Sequence, residues 1–148
     1  MTAAAPAPTG ATRHGGRTLL RAWLGASGAA AVACAVAGGF LAGALGTDPT
    51  FQPLTPGPIA FFTFLFGAVA TVVYGRVAVG PDARRRWLRV AAIAALVSLA
   101  PDVMLIVAPG AAPIPGASPE AGVALGILHL LAAPIIAFGL LRLAPPRP

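Results

Sequence analysis

The sequence predicts an all-α membrane protein: a four-helix bundle of antiparallel, up-and-down spans with both termini in the cytoplasm. Three observations lead there. The 148-residue chain is 57% hydrophobic and only 9% charged, too little charge to cover a water-soluble domain of this size. Its 16 prolines and 18 glycines gather between long apolar runs, where loops would lie. Its ten basic residues are all arginine, and every one falls on the same side of those runs.

Residues 1–16, rich in Ala, Pro, Thr and Gly, read as a disordered cytoplasmic tail in which His14 is solvated. A four-span domain follows over residues 17–143. The first span is expected at about 21–45, behind Arg13, Arg17 and Arg21. Ala42-Gly43-Ala44 resembles a signal-peptidase site, but the apolar run exceeds the roughly 7–15 residues of a signal-peptide core, so a retained span is expected. Ala31, Ala35, Gly39 and Gly43 recur every fourth residue and suggest close helix packing within the monomer. Prolines 49, 53, 56 and 58 should stop any helix before the second span at 59–79, whose Phe61, Phe62, Phe64 and Phe66 could fill gaps beside the small residues of the first. Arg84, Arg85, Arg86 and Arg89 precede a third span at 87–108, and a proline-rich loop leads to the fourth at 121–141. Residues 144–148 read as a second cytoplasmic tail. Trp23, Tyr74 and Trp87 fall near one interface, as an aromatic belt would place them.

Counting sides fixes the expected orientation. Every arginine falls with the two termini and the loop between spans two and three, whereas the opposite loops carry only Asp48 and Glu120. Basic residues stay on the cytoplasmic side, which points to a membrane protein with both ends inside.

Asp102 and His129 are the two ionisable residues well inside the spans. At such depth an unpaired charge is unfavourable by roughly 2.5–3.5 kcal/mol, so these groups should face the bundle and find partners. A rise of about 1.5 Å per residue puts both roughly 10–12 Å below the outer helix ends. An Asp102–His129 hydrogen bond or ion pair is therefore expected. Gly122 and Gly126 make room for it, and Ser98 and Thr63 are candidates to complete a polar cluster. Such a cluster can clamp two helices, or can accept a proton or ligand as in pumps and transporters. Pro101 and Pro134 are placed to bend the third and fourth spans.

No nucleophile–base set is visible, and one Asp with one His is too few for a metal site. The lone Cys34 reads as a small apolar helix residue. The expectation is therefore a non-enzymatic membrane protein with no cofactor. Its partners would be the bilayer itself, anionic lipid headgroups at the arginines, and another membrane protein or a second copy. Nucleic acid is a poor partner, because the arginines flank apolar runs and have no interleaved aromatics. A small transporter or proton-linked accessory subunit using Asp102 and His129 is the alternative.

Residues 18–143 resemble a family of small actinobacterial integral membrane proteins of unknown function. The likeness lies in four short spans, the basic loop between the second and third, VSLAPD late in the third and HLLAAP in the fourth. The resemblance implies four helices and a bacterial plasma membrane, and supplies no reaction, ligand or catalytic residue.

Overall fold

The computed structural model describes residues 14–146, so most of the expected N-terminal tail lies outside the described residues. The architecture is all-α, with no strand among the described residues. Helix α1 spans Gly16–Leu45, α2 Pro56–Val77, α3 Ala83–Ser98, α4 Ala100–Val107 and α5 Pro119–Leu143. Since α3 and α4 follow one another across Leu99, the described residues hold four helical segments of 22 to 30 residues that are long and apolar enough to cross a membrane. At about 1.5 Å per residue each exceeds the ~30 Å hydrocarbon core.

Three boundaries differ from expectation, each for a local reason. Pro56 and Pro58 do not stop α2 but open it, because first-turn N–H groups have no helical acceptor to lose. The Gly80-Pro81-Asp82 turn, with Gly80 at φ 78° and Asp82 at φ 62°, reverses the chain so tightly that α3 begins at Ala83 rather than residue 87. The third crossing is also not one helix. Pro101 lacks the N–H that would bond back to residue 97, and the helix breaks at Leu99 before restarting as α4. By contrast, α5 runs unbroken through Pro134.

Small residues set how closely the helices approach. A Cβ on Gly139 would lie 2.7 Å from the Cβ of Ala26, and one on Gly67 would meet Ser27 Oγ. The α1–α5 and α1–α2 seams therefore close backbone to backbone, as membrane helices do when lipid supplies no hydrophobic drive between them. The face of α1 used for this carries Ala22, Ala26, Ala30 and Cys34. Gly39 and Gly43 of the expected stripe lie elsewhere: both are exposed, and a Cβ on either would meet nothing within 4 Å.

The aromatic residues also depart from expectation. Phe61, Phe62 and Phe66 turn outward, and only Phe64 meets α1, edge-on to Trp23. Tyr74 and Trp87 form no lipid-facing belt. They are buried edge-to-face with centroids 5.0 Å apart. Trp87 Nε1 donates to the Ala137 carbonyl at 3.0 Å, and the Tyr74 hydroxyl donates to the carbonyl of Ala144. That last contact makes Ala144 part of the core rather than of a tail. His14 stacks on Tyr74 at 5.6 Å and is buried, not solvated.

At the opposite end the two long loops close on each other. Phe51 and Leu54 are buried among Cys34, Leu105 and Leu128. Gly116, at φ 72°, sits where a Cβ would strike Thr50 and the Phe51 N–H. Thr50 donates its hydroxyl and N–H to Asp48 Oδ1 at 2.7 and 2.8 Å, which holds the Asp48 carboxyl below the usual carboxylate range. The outward faces remain apolar: Val36 and Phe40 of α1 are 73% and 74% exposed. Such a surface suits acyl chains rather than water.

Candidate functional site

The break at Leu99 positions the most unusual residue of the chain. It starts α4 inside the third helical segment, with Asp102 in its first turn, the end of a helix at which a negative side chain is favoured. Asp102 is buried, 3% exposed. Facing it, α5 presents Gly122 and Gly126 one turn apart. A Cβ on Gly122 would lie 2.8 Å from the Asp102 carbonyl oxygen and 2.8 Å from Ile106 Cγ1, so only glycine allows this approach. At Gly126 the nearest atoms, including Asp102 Oδ2, stand at 3.9 Å.

His129, one turn beyond Gly126 on α5, brings its Nδ1 to 2.6 Å from Asp102 Oδ2. The two side chains share one proton across this hydrogen bond. The two partners are unequally covered. The Asp102 side chain is 4% exposed and that of His129 35%. The imidazole thus sits at the rim of the α4–α5 seam, bonded to Asp102 and one turn from the Leu125 backbone, with about a third of its side chain uncovered.

The two hydroxyl candidates do not join this pair. Ser98 Oγ donates to the Ala95 carbonyl at 2.7 Å, within its own helix. Thr63 makes no hydrogen bond to either residue: the pair lies in the α4–α5 seam, whereas α2 packs chiefly on α1. Cys34, by contrast, carries a polar contact that its type gave no reason to expect: its Sγ lies 3.6 Å from the Leu128 carbonyl, one residue before His129.

The four arginines at the start of α3 separate into two kinds. Arg86 curls back, its Nη2 donating to the carbonyls of Val79 and Pro81, and so braces the turn between α2 and α3. Arg84, Arg85 and Arg89 instead stand exposed around a shallow, mainly apolar depression of about 520 Å³, with Asp82, Leu88 and Ala92. Reading the block as one basic cluster missed this division. The Gly-Pro-Asp turn, which exposes carbonyls within reach of a guanidinium, was its signal.

A family model described as a family of unknown function, DUF6069, matches residues 14–146. No curated protein and no solved structure matches the chain. The chain belongs to the DUF6069 family.

Proposed function

We propose that this family member is a non-enzymatic, multi-pass protein of a bacterial plasma membrane, with both termini cytoplasmic, that works by contact with another membrane helix. The Asp102–His129 pair is the polar lock that seats α4 on α5, and the surface edge of His129 is the point of contact. One observation carries this reading: Asp102 holds one ring nitrogen, and the imidazole remains 35% exposed on an apolar surface. A polar ring edge turned toward hydrocarbon is unfavourable by itself, and a polar group on a neighbouring helix relieves it. The segregation of arginines to one end supports the orientation.

The test places a photocrosslinking residue at Ala133, one turn from His129 on the same face of α5, or at the adjacent Leu130, and at the exposed Val36 of α1, in native membranes. The expected result is a discrete adduct from the α5 positions that disappears in His129→Leu, with none from Val36. Equal crosslinking from both faces, unaffected by His129→Leu, overturns the reading.

A second reading has its own observation. The exposed imidazole edge gives a proton a route to the buried carboxylate, as a proton-linked accessory subunit would require. In sealed vesicles under a pH gradient it predicts a proton flux that both Asp102→Asn and His129→Leu abolish. The contact reading predicts no such flux.

A further inference from the structure

We propose that the depression at the start of α3 is a binding site for an anionic phospholipid with hydroxyls in its headgroup, of the phosphatidylglycerol type. Three of the four arginines at the start of α3 are exposed and not bound to backbone carbonyls. Arg86 is committed to the Val79 and Pro81 carbonyls, whereas Arg84, Arg85 and Arg89 are exposed around the depression. Arg85, Leu88, Arg89 and Ala92 stand at i, i+3, i+4 and i+7, so one helix face carries two guanidinium groups and an apolar floor.

That face continues outward as bare hydrocarbon. Ile93 and Leu96, one to three turns further along α3, are 63% and 69% exposed. The third crossing is also the least covered of the four. A phosphate seated between Arg85 and Arg89 thus leaves its acyl chains lying along α3, where the structure provides a surface for them. Arginine suits this role because its planar fork grips phosphate oxygens in pairs.

Asp82 selects among anionic lipids. Asp82 borders the same depression, and a carboxylate there opposes a bare phosphate and favours a headgroup whose hydroxyls donate to it. Three guanidinium groups against one carboxylate leave the depression net positive. A glycerol headgroup satisfies both signs. A zwitterionic choline headgroup offers neither a net negative charge nor a hydroxyl.

The test is native mass spectrometry of the full chain purified in neutral detergent, titrated with phosphatidylglycerol, phosphatidic acid and phosphatidylcholine. Orientation in the cell has no bearing on this measurement. One phosphatidylglycerol should be retained in preference to phosphatidylcholine. Arg85→Gln/Arg89→Gln should weaken it by roughly twenty-five-fold, near five-fold for each charge removed, while Arg76→Gln/Arg142→Gln leaves it unchanged. Asp82→Asn should erase the preference for phosphatidylglycerol over phosphatidic acid. Inorganic phosphate at the same concentration should not compete, because it lacks the acyl chains. Equal retention of phosphatidylglycerol and phosphatidylcholine overturns the proposal. So does an equal loss in the Arg76/Arg142 control, which would make the effect general surface charge. Circular dichroism and melting in neutral detergent confirm that the compared variants are folded, and Arg85→Lys/Arg89→Lys, which keeps the charge, should retain most of the binding.

Discussion

Asp102 and His129 hold each other at 2.6 Å, so removing either strands the other in an apolar seam. The expected outcome follows from the reference state. A membrane helix pair that separates still finds other polar contacts, and coupling between such residues averages about 0.6 kcal/mol with a maximum near 1.7. A double-mutant cycle of Asp102→Asn and His129→Leu, measured by reversible unfolding in bicelles, should give a favourable coupling within that range. A coupling of zero removes the lock. The pair was legible in the sequence because an ionisable residue within an apolar run must be compensated. Its two companions were misread for different physical reasons. Ser98 has a carbonyl of its own helix within reach and takes it. The place of Thr63 depends on which helices touch, and residue spacing along one chain does not encode that.

At the scale of elements, glycine is the residue whose meaning depends most on what lies opposite. Gly122 and Gly126 share one face of α5 but face different gaps, 2.8 Å and 3.9 Å from their nearest neighbours. Gly122→Ala should push α4 away and destabilise the bundle by about 1–3 kcal/mol, as overpacking does. Gly126→Ala should instead be neutral or stabilising by up to about 1 kcal/mol, since the alanine fits and the unfolded chain loses freedom. The same contrast separates Gly139, 2.7 Å from Ala26, from Gly39 and Gly43, which face open space. Gly139→Ala should destabilise, and Gly39→Ala and Gly43→Ala should not, in thermal melts of the monomer in detergent. A destabilised Gly43→Ala would mean that a second chain covers that face. The four-residue repeat showed that α1 could be approached closely. Which side was used depended on Gly67 and Gly139 of other helices, so the repeat pointed to the wrong pair. Proline marked the helix break only in part: Pro101 and Pro134 each remove a donor, yet the helix breaks at Leu99 and runs on through Pro134.

For the molecule as a whole, charge and packing agree on two ends. The Gly116 turn rests on Thr50 and Phe51, so the loops carrying Asp48 and Glu120 share one end. The Tyr74–Ala144 and Trp87–Ala137 contacts join the ends of α2 and α5 to the start of α3 at the other, where Arg76, Arg84, Arg85, Arg86, Arg89 and Arg142 collect. A short loop with several arginines resists translocation far more than one with a single aspartate, so the arginine end should stay in the cytoplasm. Two exposed positions test this, Gln52 in the first long loop and Pro81 in the arginine turn. In a Cys34→Ala background, a membrane-impermeant maleimide applied to intact cells should label Gln52→Cys and spare Pro81→Cys until the cells are lysed. Labelling of Pro81→Cys alone would invert the protein. It would also move the arginine-bordered depression to the outer leaflet without altering the bundle, because the Asp102–His129 lock and the glycine seams do not depend on which way the molecule faces.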